Sequence, residues 1–460
     1  MIVRPAARPT MPIRIRDPIH NFIELRDEER AAIDSAVFQR LRSIRQLAMT
    51  HLVYPGALHT RFEHSVGVCH LAGRVVSELQ QKAGIDTVSD ADIATVRTAA
   101  LLHDIGHGPF SHVSEGVLDL RNNVRGVHEA ISVEIMRTDA QLQAAFGSEL
   151  CQRAADLVGH EGDFKVRTAL RDIVSGPSDA DKLDYLQRDS YFAGVQYGKY
   201  DLGRLIDTVT VINAGGVENY LGFKEDGLWA VEGLLLARHH MHRQVYGHKT
   251  RIATDILVER ALTYGLDDGA VDSAAFEVPI VDNKPAPDEA FLTAYLKQTD
   301  ASVMQALLAQ ADDTPSRQLA RRLAERDLLR RNARINLTDE RRDLGGPRIA
   351  QILDRELMAA KSTELEEKIA SELSCPAYLV ALRVEDQANP VYRNPSAGFT
   401  DKDILLSFPD RQPETIHEIS EIFRDELGKE SKYVSLFSPR NEDLTDDKAR
   451  DLLWNALMTI

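Results

Sequence analysis

Three short segments of this 460-residue chain concentrate side chains able to hold a cation or move a proton. "RFEHS" carries His64, "LLHDIGH" carries His103 and Asp104, and "SDADKLDY" carries Asp181. Imidazole nitrogens and carboxylate oxygens together suit a hard or borderline divalent cation, with positions left for water and phosphate oxygens. A histidine followed directly by an aspartate, just behind an apolar helix, aims two ligand atoms from one rigid mount. Taken singly each segment is weak, because a lone histidine on a helix is more often a structural residue. The ordered combination, each element in a helical context, is much more specific.

Helices must position these groups. "VCHLAGRVVSELQQKAG" puts Val68, Cys69, Ala72, Val75, Val76 and Leu79 on one face and stops at Gly84. "DADIATVRTAALLHDIG" is a second apolar helix, ending at Gly106 with Pro109 beyond. Ser178 is placed to cap a helix that carries Asp181 in its first turn. "LWAVEGLLLARHHMHRQVYGHKTRIATDILVERAL" reads as one long amphipathic helix, and "DTVTVINAGGVENYLGFKEDG" before it as a short hairpin insert. Apart from that insert, residues 12 to about 260 read as a run of helices, and 265–290 as loop. Residues 315–335 form a basic helical pattern, while "CPAYLVALRVED" and "DILLSFP" look like strands of a smaller lobe. The expected fold is mainly α, with a short β-hairpin insert and a smaller mixed α+β C-terminal lobe. The expected division is an extension at 1–11, a core at 12–340 and the lobe at 341–460.

Composition narrows the function classes. The chain is 43% hydrophobic and 27% charged, as in ordinary globular proteins. Cys69, Cys151 and Cys375 are scattered and form no CxxC pair, which argues against a disulfide framework or a cysteine zinc site. The N-terminus lacks an apolar signal region and no window reaches membrane-spanning length, so a cytoplasmic location is expected. A formal net charge of -16 argues against general nucleic-acid binding, while leaving room for a locally basic phosphate pocket.

The ordered histidines and aspartates resemble those of the HD-domain phosphohydrolases. The longer strings "DPIHNFIEL", "FQRLRSIRQL", "YPGALHTRFEHSVGV", "HDIGHGPFSH" and "DADKLDY" are similar to those of the deoxynucleoside triphosphate triphosphohydrolases, and of their sterile-alpha-motif-bearing branch in particular. The resemblance runs from about residue 12 to residue 260. It implies an HD-domain helical core and a divalent metal (Mg, Mn, Fe or Zn) held by His64, His103, Asp104 and Asp181. The implied reaction cleaves a deoxynucleoside triphosphate at the α-phosphate, yielding deoxynucleoside and intact triphosphate.

By the same resemblance His128 is the catalytic histidine, able to protonate the departing 5′ oxygen. Glu115 stands where the family usually has an aspartate orienting that histidine, and Glu129 is a second candidate orienter. Arg61, His107, His112 and Lys182 match phosphate contacts, and His112 is expected among the catalytic residues as well. Lys182, Tyr185 and Asp189 share one helix face, with Leu183 and Leu186 opposite. Tyr185 is expected to pack on the sugar and Asp189 to accept from the 3′-hydroxyl. Arg238, His242 and Tyr246 recur at four-residue intervals, and Gln46 and Leu47 match residues near the sugar and base. Gly247 replaces a glutamine of the related pattern, so base preference does not transfer.

Asp34, Gln39 and Arg42 match residues that read guanine at an activating site in tetrameric relatives, and Arg204 occupies another such position. Arg330 and Arg334 could supply further basic contacts. A guanine nucleotide activator and a homo-oligomer, dimer or tetramer, follow as expectations. Two other readings remain open at this point: an HD-domain nucleotidase or phosphodiesterase acting on other nucleotides or single strands, and a non-catalytic nucleotide sensor.

Overall fold

The structure is a computed structural model that describes residues 13–83, 87–164, 168–213, 219–337, 352, 355–387, 403–425 and 431–459. The extension at 1–11, Gly84 and the boundary expected near residue 340 lie outside the described residues. The chain opens with a hairpin where a helix is expected. Strand β1 (Ile13–Asp17) pairs antiparallel with β2 (Asn21–Leu25). Ile23 and Leu25 face the core at the two-residue period of a strand. The turn between them is closed by Asp17, whose Oδ1 accepts from the backbone N–H of Ile19 and of His20, each at 2.8 Å.

Behind helix α1 (Asp27–Ile33) the site is built on α2 (Arg61–Ala83), which is buried on most of its faces. It packs against α3 (Asp90–Leu102). A reciprocal capping box between Ser89 and Asp92 starts α3, and the helix ends at Leu102 rather than at Gly106. His103 to His107 therefore form a turn, followed by α4 (His112–Asn122) and α5 (Val127–Thr138). Helix α6 (Ala180–Ala193) packs on α2 and is capped by Asp179, not by Ser178. The Asp179 Oδ1 accepts the Lys182 N–H at 2.8 Å.

The long helical pattern after the insert is broken in two. Between α7 (Leu228–Met241) and α8 (Lys249–Asp267), residues His242–Tyr246 form a π-turn. Its last bond runs from Gly247 N–H to the His242 carbonyl at 2.8 Å. Such turns insert one residue into the helical period and often occur at functional sites. Within the expected 265–290 loop, Ile280–Val281 pairs with Lys284–Pro285. The basic stretch is helical only as α9 (Pro315–Glu325), which ends where Arg326 takes φ +58°. Residues Arg330–Asn336 are a strand, β5 in chain order, with Ala333 and Ile335 turned inward at period two.

The insert is the expected hairpin of β3 (Val209–Asn213) and β4 (Asn219–Lys224). "CPAYLVALRVED" supplies β6 (Ala381–Gln387) and "DILLSFP" supplies β7 (Leu405–Ser407). Strand β7 does not join the lobe's sheet; it pairs parallel with β4, extending the insert. Gly222 permits this, since a Cβ there would lie 2.8 Å from the Leu405 carbonyl oxygen. The lobe's own sheet has the order β5, β8 (Ser431–Ser438), β6, all antiparallel. Its core includes Ile335, Ile369, Val434, Leu436 and Leu453, drawn from the sheet and from helices α10 (Arg355–Leu373) and α11 (Asp446–Leu457). An Arg260–Glu366 pair at 2.6 Å and an Arg383–Glu259 contact tie the lobe to α8. The fold is mainly α with a small mixed C-terminal region. Among the described residues no helix is long and apolar enough to cross a membrane.

Candidate active site

His64 lies in the first turn of α2, Asp181 in the first turn of α6, and His103 and Asp104 in the turn after α3. The fold brings all four together. His64 Nε2 is 3.1 Å from Asp181 Oδ1 and 3.5 Å from Asp104 Oδ2. His103 Nε2 is 3.3 Å from Asp104 Oδ1 and 3.9 Å from Asp181 Oδ1. Neither Nε2 makes a well-directed hydrogen bond, although both are buried. The other ring nitrogens are committed: His64 Nδ1 donates to Asp184 Oδ2 at 2.9 Å, and His103 Nδ1 donates to the Ala100 carbonyl at 2.8 Å. Those bonds fix the ring orientations and turn both Nε2 atoms towards the carboxylates. Burial opposes charge on His64, yet Asp181 and Asp184 overcome it and lift its pKa to about 10. The same field favours a cation among these groups, and the donor set fits a divalent ion.

The cluster opens into a cavity of about 970 Å³. Arg61, buried beneath it, donates from Nε to Ser111 Oγ at 2.9 Å and contacts Asp104 through Nη1, leaving Nη2 without a partner. Burial opposes ionisation of Asp104, but Arg61, His103 and His107 hold its carboxyl well below the usual range. The chain around this point is strained. Phe110 and Ser111, neither a glycine, both take positive φ, +61° and +54°. Such conformations cost about 1–3 kcal/mol each and persist only where the surroundings enforce them. Here Asp300 Oδ1 accepts Phe110 N–H at 2.7 Å, and the Tyr295 hydroxyl donates to the Gly106 carbonyl at 2.8 Å. Arg40 Nη1 donates to the His107 carbonyl at 2.8 Å.

His107 packs face to face on His128, ring centroids 4.1 Å apart. Burial, Arg61 and His128 keep His107 neutral, with its pKa well below the ordinary value. Glu115 Oε1 accepts from His128 Nδ1, and Oε2 accepts from His112 Nδ1 at 2.9 Å. Of the two candidate orienters, Glu115 is thus the carboxylate that contacts His128, and Glu129 is exposed without that contact. Burial alone would lower the pKa of His128, but the Glu115 carboxylate raises it. The two imidazoles in turn hold the Glu115 carboxyl far below its usual range despite burial.

Helix α5, which carries His128, sits directly on Gly106. A Cβ at Gly106 would lie 2.4 Å from the His128 carbonyl oxygen and 2.5 Å from Ser132 N. Gly106→Ala is therefore expected to push His128 away from the metal cluster. A displacement near 1 Å costs about 10²-fold in kcat. Steady-state kinetics on a variant with unchanged circular dichroism checks this.

The remaining wall carries the other expected contacts. Lys182 Nζ is held by Asp179 Oδ2 at 2.6 Å and by the Gly176 carbonyl at 3.1 Å. Tyr185 and Tyr246 meet edge to face, and the Tyr246 hydroxyl donates to Asp189 Oδ2 at 2.6 Å. Asp189 Oδ1 accepts from His59 Nε2 at 2.7 Å, a residue the sequence reading missed. Both oxygens of Asp189 are engaged, so a sugar hydroxyl would join an existing network rather than meet a free carboxylate. Gln46, Leu47, Arg238, His242 and Gly247 complete this wall, despite the π-turn. Arg383, Val384 and Glu385 of β6 also line the cavity, a contribution from the lobe that no local motif signals.

The residues expected at an activating site do not line this cavity. Gln39 Nε2 donates to the Ile33 carbonyl at 2.8 Å, and its Oε1 accepts from Arg42 Nε at 2.9 Å. The Arg42 guanidinium lies over the Phe62 ring, and exposed Asp34 is 3.8 Å from Arg30. Arg204 belongs to a separate contact set, pairing with Asp226 at 3.5 Å.

Comparison with known proteins agrees with this geometry. Residues 61–189 match the HD domain and residues 200–284 the HD associated region. The protein MJ1154 of Methanocaldococcus jannaschii is 37% identical over 258 residues, covering 56% of this chain and 51% of its own length. The deoxynucleoside triphosphate triphosphohydrolase SAMHD1 of Homo sapiens is 33% identical over 276 residues, 54% of this chain and 44% of its own length. The chain therefore spans about half the length of these curated relatives. The crystal structure of the phosphohydrolase BT4208 from Bacteroides thetaiotaomicron superposes with a TM-score of 0.69 at 26% identity, covering 94% of this chain and 100% of that one. All four clustered histidines and aspartates lie inside the matched segment: the chain carries an HD domain and, over about half its length, is similar to the deoxynucleoside triphosphate triphosphohydrolases.

Proposed function

We propose that this chain is a cytoplasmic, metal-dependent triphosphohydrolase that cleaves deoxynucleoside triphosphates at the α-phosphate. The observation that carries the reading is the pairing of two chemical devices across one cavity. Ligand-type atoms of Asp104, His107 and His128 lie within 4.8 Å of one another, so the Glu115-held imidazole stands beside the metal-binding cluster. A bound divalent ion supplies neutralisation of phosphoryl charge and acidifies water. Glu115 favours the protonated form of His128, and His128 gives that proton to the 5′ oxygen as its bond to the α-phosphorus breaks. The water oxygen becomes bonded to the same phosphorus and releases a proton to solvent, so triphosphate leaves intact. Arg61 Nη2, Lys182 and Arg238 provide positive charge along the cavity for the three phosphates. Tyr185 offers a ring to the sugar, and Asp189 with Tyr246 and His59 offers a polar network to its hydroxyl.

Regulation by a guanine nucleotide is part of the proposal, read by Asp34, Gln39 and Arg42. Arg204, which has its own partners within one chain, joins them only in a homo-oligomer. The test is a panel of the four dNTPs, alone and in pairs, with Mg²⁺ or Mn²⁺, analysed by chromatography. Deoxynucleoside and inorganic triphosphate are expected. Pyrophosphate or phosphate release would assign the site to a nucleotidase instead. An enzyme that turns over a single dNTP at a rate unaffected by GTP or dGTP would remove the activation.

A further inference from the structure

The motif "DPIH" at residues 17–20 has no part in the reaction just described, yet its side chains reach the back of the metal cluster. His64 Nδ1 donates to Asp184 Oδ2 at 2.9 Å. Asp184 is completely buried and held from three sides. Arg188 grips it with two bonds, Nε to Oδ2 at 2.7 Å and Nη2 to Oδ1 at 2.9 Å. His20 Nε2 donates to Asp184 Oδ1 at 2.6 Å. Arg188 Nη1 then donates to Asp17 Oδ2 at 2.9 Å, while Asp17 Oδ1 closes the β1–β2 turn that presents His20. No side chain of this set is more than 4% exposed.

Helix α2 is shaped to receive the set. Gly67 lies one turn beyond His64, and a Cβ there would fall 2.1 Å from Asp184 Oδ1 and 2.5 Å from Arg188 Nη2. Glycine at this position lets the carboxylate approach the helix closely enough to bond the His64 ring.

We infer that Asp17, His20, Asp184 and Arg188 are positioning residues for the metal site, with the N-terminal hairpin fixing the ring and tautomer of His64 from outside the cavity. A carboxylate on the far nitrogen of a ligating imidazole strengthens that imidazole as a donor, and losing such outer partners weakens metal binding about 10–100-fold. His20 gives Asp184 its fourth hydrogen bond, and Asp17 satisfies the part of Arg188 that Asp184 does not. The inference rests on reading His64 as a metal ligand.

The experiment titrates the metal-stripped full chain with Mn²⁺, following free ion by electron paramagnetic resonance, in wild type and in His20→Leu, His20→Gln and Asp17→Asn. Wild type is expected to bind tightly; wild type without a tight site would overturn the metal reading itself. Given a wild-type site, His20→Leu is expected to bind about tenfold or more weakly. His20→Gln, which can still donate to Asp184, is expected to recover most of the loss. Equal Mn²⁺ affinity in wild type and His20→Leu would overturn the inference, as would an equal loss in His20→Leu and His20→Gln. If His20→Leu does not fold, Asp17→Asn takes its place, with weakened binding expected and unchanged affinity overturning the inference.

Discussion

Asp104→Ala is expected to remove bound metal and hydrolysis together. Asp104 presents one oxygen to His64 and the other to His103, so no neighbour can substitute for its carboxylate. Loss of outer partners alone weakens metal sites about 10–100-fold, and loss of this central oxygen donor should exceed that range. The substitution also strands the buried Arg61 guanidinium, which keeps only Ser111 as a partner. Removing one member of a buried ion pair costs about 3–5 kcal/mol, so the metal-free variant should also unfold at lower temperature. Metal analysis of the purified variant, activity and thermal unfolding check the three outcomes. A variant that keeps stoichiometric metal would assign the site to other ligands.

His128→Ala should separate what Asp104→Ala joins. His128 is not one of the four residues read as metal ligands, although it stands within 4.8 Å of Asp104, so metal content should match wild type. The missing proton donor should lower kcat by about 10²–10⁴-fold. Glu115→Gln refines the test through pH. In the native site the Glu115 carboxylate raises the pKa of His128 against the effect of burial. The protonated, donating form therefore persists to higher pH than it would for an ordinary histidine. Removing that carboxylate should move the alkaline limb of the kcat profile to lower pH. A limb that stays in place would assign it to another group.

The four clustered residues were legible in the sequence because each sits beside a helix whose apolar periodicity is strong, and their order is specific. Their supports were less visible. Asp184 and Arg188 stand at i and i+4 on α6, a spacing that signals an ion pair but not that the pair is buried behind His64. The N-terminal hairpin could have been read from Ile13, Ile15, Ile23 and Leu25 alternating around Asp17–Pro18. Strand β5 was hidden because the arginines of "LLRRNARI" continue the composition of α9, while only Ala333 and Ile335 mark the change of period. His59 reaches Asp189, and the β6 residues reach the cavity, through long-range packing, which no local spacing encodes. The π-turn at His242–Tyr246 leaves the helical pattern of its sequence intact, so only the structure reveals it.

The parallel pairing of β7 with β4 has a consequence for how the molecule is made. The edge of the β3–β4 hairpin is synthesised early, but the strand that covers it comes from near residue 405. Until that late segment emerges from the ribosome, β4 presents unpaired backbone groups, the kind of edge that recruits other chains. The contact is long-range, and pairing across so long a loop is the kind that closes slowly. A fragment ending after residue 284, where the family match stops, would keep every clustered histidine and aspartate yet leave this edge bare. This late segment thus acts as a built-in guard of the insert, and versions that lack it should be judged by aggregation before they are judged by activity.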